Sequence, residues 1–289
     1  MKVLVLGSQG QLGQCLQDRF TQTSYQVIYH CRADTDIANF SETSDNLSSL
    51  NPDVVVNASA YTAVDKAEIQ QILANQINHL AVDNLAKVCE KIGCFLIHVS
   101  TDYVFDGKAS QPYQEDDQTN PQGVYGVSKL AGEIAIQRTD YRFLIIRTAW
   151  VFSEYGNNFF KTMLRLGAER DSLSIVGDQI GSPTYAQDIA RLIVGLVPQI
   201  ESNNVESGLY HFCGDTACSW HQFAEEIFSQ AKNFGYQTPK QIKSIVTKDY
   251  PTPAARPLYS VLDCAKIQST FEIKKSNWRH GISRALTSL

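Results

Sequence analysis

The sequence has no Cys-x-x-Cys pair, no clustering of its lysines and arginines, and no apolar run approaching the ~18 residues of a membrane span. Seven cysteines (Cys15, Cys31, Cys89, Cys94, Cys213, Cys218 and Cys264) are an odd number without a paired pattern, which argues against a disulfide framework or a zinc ribbon. Reduced, buried thiols are expected. With a formal net charge of -5 and scattered basic residues, the chain shows no electrostatic footprint for nucleic acid. Internal repeats and low-complexity tracts are absent. The opening residues Met1-Lys2-Val3-Leu4-Val5-Leu6 read as a strand rather than a signal peptide, so a cytoplasmic protein without membrane contact is expected. What is present, 289 residues of which 43% are hydrophobic, suffices for a large core in one domain or two.

Lys2 to Leu6 feeds into Gly7-Ser8-Gln9-Gly10-Gln11-Leu12-Gly13, followed by a helical pattern through Leu16 and Phe20. Strand, glycine loop and helix in this order form a site for a pyrophosphate: the glycines permit a tight turn and close approach, and the helix N-terminus favours an anion. The run Gln26 to Tyr29 predicts a second strand, whose end faces the adenosine ribose. His30-Cys31-Arg32 follows, without the carboxylate that would bind the ribose hydroxyls of NAD, and Arg32 tilts the expectation towards NADPH, NADH remaining possible. Asp36-Ile37 is placed at the edge of the adenine, and the buried run Asp53 to Asn57 ends in small residues that let a ligand come close. Helices are expected over Ala63 to Asn78 and Ala81 to Lys91, strands over Cys94 to Val99 and Tyr141 to Ile146, and a further helix over Asp188 to Val197. Gly208 to Gly214 reads as a strand and turn, and Trp220 to Lys232 as an amphipathic helix. His79 and His98 are read as structural, lacking partners at metal-ligand spacing.

The strand ending at Val99 delivers Ser100-Thr101-Asp102-Tyr103 to the edge where ligands bind in open parallel sheets, and Thr101 can reach a substrate carbonyl. Asn120-Pro121 predicts a helix start, with Tyr125 and Lys129 four residues apart on one face. That spacing sets the ammonium near the phenol, where a cation favours the phenolate and lowers its pKa towards working pH. Trp150, after the strand ending near Ile146, is a candidate for stacking on a sugar or base.

Together the glycine loop, Ser100-Thr101-Asp102-Tyr103-Val104-Phe105, Tyr125-x-x-x-Lys129 and Arg147-Thr148-x-Trp150 resemble an extended short-chain dehydrogenase/reductase, and within that family the dTDP-4-dehydrorhamnose reductases. Supporting stretches are Ala63 to Glu68, Gly156 to Phe159, Lys161 to Leu166, Asp178 to Thr184 and Tyr250 to Pro257, so the resemblance runs nearly end to end. It implies an α/β fold: a Rossmann-type doubly wound parallel sheet over 1–150 plus about 178–205, and a smaller nucleotide-sugar-binding domain over about 151–177 and 206–289. It implies Thr101, Tyr125 and Lys129 as the catalytic set. Gly7, Gly10, Gln11, Leu12, Gly13, Arg32, Asp36, Ile37, Ala60, Tyr61 and Thr62 join Tyr125 and Lys129 around the cofactor. Thr101, Asp102 and Trp150 meet the sugar, and Arg256 meets the diphosphate, since a guanidinium pairs well with phosphate. Related dehydratases carry an acidic pair after the threonine; here Asp102 is followed by Tyr103, and one proton donor is enough for a reduction. Some members resembling this family bridge subunits through magnesium held by acidic residues, one of them in the first helix. This chain has Cys15 there, so no metal is expected, and monomer or homodimer stays open.

The expected reaction is reduction of a nucleotide-sugar 4-ketone by a nicotinamide cofactor. Two alternatives stand beside it: a different keto-sugar reductase or epimerase on the same scaffold, and a dinucleotide-binding regulatory subunit without turnover.

Overall fold

The computed structural model describes residues 1–289. Its centre is a six-stranded parallel sheet. The strands β1 (Lys2–Leu6), β2 (Gln26–His30), β3 (Val54–Asn57), β4 (Phe95–Thr101) and β5 (Phe143–Thr148) are joined at one edge by Gly208–His211, giving the spatial order 208–211, β5, β4, β3, β1, β2. The chain leaves β1 towards β2, then returns to lay β3 on the other side of β1. The switch point therefore lies between the carboxyl ends of β1 and β3, where a crevice opens.

Both faces of the sheet are buried, which explains the continuous apolar runs in place of alternation. Val3, Val5, Val54, Val56, Ile97, Leu144 and Ile146 point into one core with α1 (Gln11–Phe20) and the helix Ala186–Glu201. Leu4, Leu6, Val55, Leu96 and Ile145 point the other way, onto α2 (Phe40–Leu50) and the helix Ala81–Ile92. A third core, with Phe152, Phe160, Phe223, Trp278 and Ile282, gathers the helices Phe159–Glu169, Trp220–Asn233 and Trp278–Thr287. A parallel pair, Ser172–Val176 with Gln241–Ile245, completes that smaller body. No helix is long and apolar enough to cross a membrane.

Three sequence expectations need correction. The segment after residue 206 does not belong wholly to the smaller body: Gly208–His211 pairs with β5, and Leu262, Cys264, Ile267 and Phe271 pack in the core beneath the main sheet. The expected helix over Ala63 to Asn78 is broken into Val64–Ala67, Gln71–Asn75 and a π-helical turn Gln76–Leu80. In that turn Asn78 bonds the N–H and C=O of Tyr61 and the Ser128 hydroxyl. Third, the helix expected to start at Asn120-Pro121 begins at Val124 and runs to Gln137. Asn120 is instead held in the loop, its N–H on the Val104 carbonyl and its amide on Asp106. The Val124 N–H is capped by Glu68 Oε1 at 2.9 Å, and a Cβ on Gly123 would lie 2.8 Å from that oxygen. A cap supplied from 56 residues away leaves no local signature.

Candidate active site

One cleft of about 790 Å³ follows the carboxyl ends of the strands, within the usual size range of ligand sites. At its floor, Gly7 has φ +79°, and a Cβ there would sit 2.8 Å from the Ser59 nitrogen at the end of β3. Gly7 thus lets the two strand ends close to backbone contact. Gly13 does not reach the cleft. It is packed against the carbonyl of Gly7, and a side chain would force α1 away from the loop. The N-terminus of α1 has neither a side-chain cap nor an acidic residue in its first turn, so its N–H groups and dipole are available to a phosphate.

Gly7, Gly10, Gln11, Leu12, Arg32, Asp36, Ile37, Ala60, Thr62, Thr101, Asp102, Tyr125, Lys129 and Trp150 all line this cleft. Arg32 is exposed at the β2 end, with Nε 3.1 Å from Asp36 Oδ2. Besides Gly13, two further predicted residues lie elsewhere. The Tyr61 hydroxyl bonds Gln70, turning its ring away. Arg256, assigned to a diphosphate, is committed to Asp65 with Nη2 2.8 Å from Oδ2, and Asp65 also takes the Ala254 N–H. These bonds clasp the proline-rich segment onto the turn at Val64 instead of aiming a guanidinium into the cleft.

In the middle of the cleft the helix Val124–Gln137 packs against the end of β4. A Cβ on Gly126 would overlap the Tyr103 carbonyl, so glycine is what lets the helix approach. Burial, reinforced by the Asp102 carboxylate, pushes Tyr125 up to about 12, and the Thr101 hydroxyl pulls the other way. The expected lowering by a neighbouring ammonium is not found. Lys129 Nζ bonds the Val99 carbonyl at 2.7 Å and His98 Nε2 at 3.1 Å, not the phenol. Burial pulls Lys129 down to about 8, with Glu133 opposing.

Thr101 donates its hydroxyl proton to Asp102 Oδ1 at 3.0 Å and accepts the Tyr103 N–H. Asp102 Oδ2, Ser100 Oγ and Thr148 Oγ1 are buried without a partner in the chain. Buried polar atoms are almost always paired, so three orphans at the ends of two adjacent strands fit a polar ligand seated above them. Glycine floor, uncapped helix and orphaned hydroxyls together suit a dinucleotide beside a polyhydroxyl substrate.

Burial raises Asp102 from 3.8 to about 6. The folded protein thus holds this proton more tightly than the unfolded chain does. Stability is lost as pH rises through the window from 3.8 to about 6, and the full penalty, about 3 kcal/mol at most, applies above it. Asp102→Asn keeps an acceptor for Thr101 and removes the charge. It is expected to raise stability by up to ~3 kcal/mol at neutral pH and by almost nothing near pH 4, as read from urea melts at the two pH values.

Several lining residues were not singled out as ligands from sequence. Ser59, Ser100 and Thr148 sit at strand ends, the signal that did identify Thr101. Trp220 had no such signal. It reaches the cleft from the smaller body and stacks face to face on Trp150, with centroids 3.5 Å apart. Trp150 itself takes φ +47°, and a Cβ on Gly181 would collide with its indole, so strain and a glycine hold it there. Asn158 joins the two bodies: its amide donates to Gln11 Oε1 at 2.8 Å, across the cleft from α1.

Comparison with known proteins agrees with this geometry. The chain is 40% identical over 284 residues to a dTDP-4-dehydrorhamnose reductase of Aggregatibacter actinomycetemcomitans, covering 97% of each chain. To that of Salmonella typhimurium it is 38% identical, over 100% of this chain and 98% of the relative. A crystal structure of the Bacillus anthracis dTDP-4-dehydrorhamnose reductase in complex with NADP superimposes with a TM-score of 0.93 at 34% identity, covering 100% of this chain and 99% of the other. The profile of the RmlD substrate binding domain matches residues 1–289, and the chain belongs to that family.

Proposed function

We propose that this protein reduces the 4-keto group of dTDP-4-dehydro-β-L-rhamnose to give dTDP-L-rhamnose, with NADPH, or alternatively NADH, as the donor. The observation that carries the reading is the meeting of the half-buried Tyr125 phenol, the Thr101 hydroxyl and the orphaned Ser100, Asp102 and Thr148 atoms midway along a cleft that starts at an uncapped glycine loop. Gly7, Gly10, Gln11 and Leu12 hold the pyrophosphate, and Asp36 and Ile37 flank the adenine. Arg32, exposed at the ribose end, receives a 2′-phosphate. Ala60 and Thr62 run beside the cofactor, and the smaller body brings Trp220 over the sugar nucleotide next to Trp150.

The cofactor supplies the hydride when bound. Tyr125 keeps its proton at neutral pH, because its pKa is pushed up to about 12, and delivers it to the forming alkoxide. Thr101 turns its hydroxyl from Asp102 to the same oxygen and stabilises the charge that develops there. Lys129, buried beneath, orients the nicotinamide ribose. Ser100 and Thr148 pair with ligand hydroxyls, which relieves their isolation. The protein works in the cytoplasm, a compartment that keeps neighbouring thiols such as Cys213 and Cys264, 3.5 Å apart, reduced.

The test is loss of nicotinamide absorbance when the purified protein meets NADPH, then NADH, and dTDP-4-dehydro-β-L-rhamnose made in situ. Rapid oxidation with dTDP-L-rhamnose as product is expected. Cofactor binding without turnover on this substrate would transfer the assignment to another keto-sugar or to a regulatory subunit.

A further inference from the structure

The loop 153–158, which leads into the smaller body, meets the first residue of α1, Gln11, from two sides. Ser153 Oγ lies 3.1 Å from Gln11 Oε1, and Asn158 Nδ2 lies 2.8 Å from the same oxygen. Between them Gly156 takes φ +62°, and a Cβ there would sit 3.0 Å from Gln11 Cγ, so glycine permits both the turn and the approach.

One backbone group fixes how the two amides face. The Lys161 N–H can only donate, so the Asn158 atom 3.0 Å from it is the carbonyl oxygen. Asn158 thereby caps the helix Phe159–Glu169, and its NH₂ group is left for Gln11 and for the carbonyls of Ser153 and Tyr155. A donor on that side requires the Gln11 oxygen to face it. The Gln11 NH₂ group is then turned away from the loop and bonds no group of the chain, while Gln11 lines the cleft at the uncapped end of α1.

We propose that Asn158 is a positioning residue that couples the two ligands: it turns the Gln11 NH₂ group towards the cofactor pyrophosphate, and a pyrophosphate held there locks Gln11 against Asn158 and so fixes the smaller body over the nucleotide sugar. The coupling rests on the reading of the cleft as the site of both ligands. From Asn158 the sugar side is close. Phe159, the next residue, packs on Trp220 with ring centroids 4.6 Å apart and on Phe223 at 5.4 Å, and Trp220 stacks on Trp150 in the cleft. A further bond from the same loop, the Tyr155 hydroxyl to Asp18 Oδ2 at 2.9 Å, joins two residues that do not line the cleft. It holds the loop to α1 without sensing a ligand. Coupling between two sites is reciprocal, so the factor by which cofactor tightens the sugar nucleotide is the factor by which the sugar nucleotide tightens cofactor.

Asn158→Ser separates the bridge from the cap, because serine caps a helix as well as asparagine but is too short to reach Gln11. Hydrogen exchange of the full chain, read by mass spectrometry with and without saturating NADP⁺, needs no turnover. In the parent, NADP⁺ is expected to slow exchange by about fivefold or more both in the glycine loop and at residues 159–163, the first turn beyond Asn158. In Asn158→Ser the glycine loop stays protected and the effect at 159–163 is lost. Equal protection of 159–163 in both proteins, or none in the parent, overturns the proposal. Gln11→Glu keeps an acceptor for Asn158 and sets a carboxylate oxygen where the NH₂ group stood; NADP⁺ binding is expected to weaken about tenfold, and an unchanged Kd overturns the assigned orientation. With dTDP as probe in calorimetry, NADP⁺ should tighten binding by about fivefold or more in the parent and less than about twofold in Asn158→Ser, and equal factors overturn the coupling. dTDP that binds neither protein, with the exchange pattern as expected, faults the sugar-nucleotide reading and leaves the bridge to the cofactor standing.

Discussion

Tyr125→Phe is expected to lower kcat by about 10²- to 10⁴-fold, the usual contribution of a positioned general acid, while cofactor affinity stays within a few-fold of the parent. The Tyr125 phenol lines the centre of the cleft and is protonated at neutral pH, its pKa pushed up to about 12. Asp102, raised only to about 6, is ionised there and cannot substitute as the donor. The ring itself packs edge to face on Tyr103, with centroids 5.5 Å apart, and phenylalanine preserves that contact. The loss should therefore appear in kcat and not in stability. Steady-state kinetics with a cofactor titration by fluorescence would check it, and near-parental turnover would remove Tyr125 as the acid.

Glu133→Ala is expected to cost about 3–5 kcal/mol of folding free energy, the typical result of leaving one member of a buried ion pair alone. Arg147 Nη2 lies 2.7 Å from Glu133 Oε2 and its Nε 3.0 Å from Oε1, with both side chains almost wholly buried. The guanidinium also lies over the Phe105 ring, 5.0 Å from its centroid. Against a typical total of ~5–15 kcal/mol such a loss leaves little margin. Glu133→Leu with Arg147→Met should recover most of it, since two apolar side chains of similar volume remove both desolvated charges. Chemical denaturation of the single and double variants measures this. Equal losses in the two would mean the pair matters for shape and not for charge.

The two variants probe different parts of one helix, Val124–Gln137, and the sequence was informative about each in a different way. Tyr125 and Lys129 could be recognised because a four-residue spacing is local information: whatever the tertiary fold, both leave the same helical face. Glu133 carried no such signal, because its partner comes from a strand 14 residues on and the pairing depends on how helix and sheet meet. Where Lys129 points was likewise out of reach. Its spacing from Tyr125 suggested the phenol as partner, and Lys129 Nζ bonds His98 and Val99 instead, both on β4.

By itself the sequence determined the elements whose cause lies within a few residues: the apolar runs that become β1, β3 and β4, the glycine loop that must turn tightly before α1, and the hydroxyl and phenol residues at strand and helix ends. Those properties follow from backbone sterics and side-chain periodicity. The tertiary structure alone decided the start of the helix Val124–Gln137, set by Glu68, and the membership of Gly208–His211 in the main sheet. It alone also decided the clasp that withdraws Arg256 to Asp65 and the stacking of Trp220 on Trp150. Each of these is a contact between residues far apart in the chain, and its energy exists only once the strands have brought the two partners together.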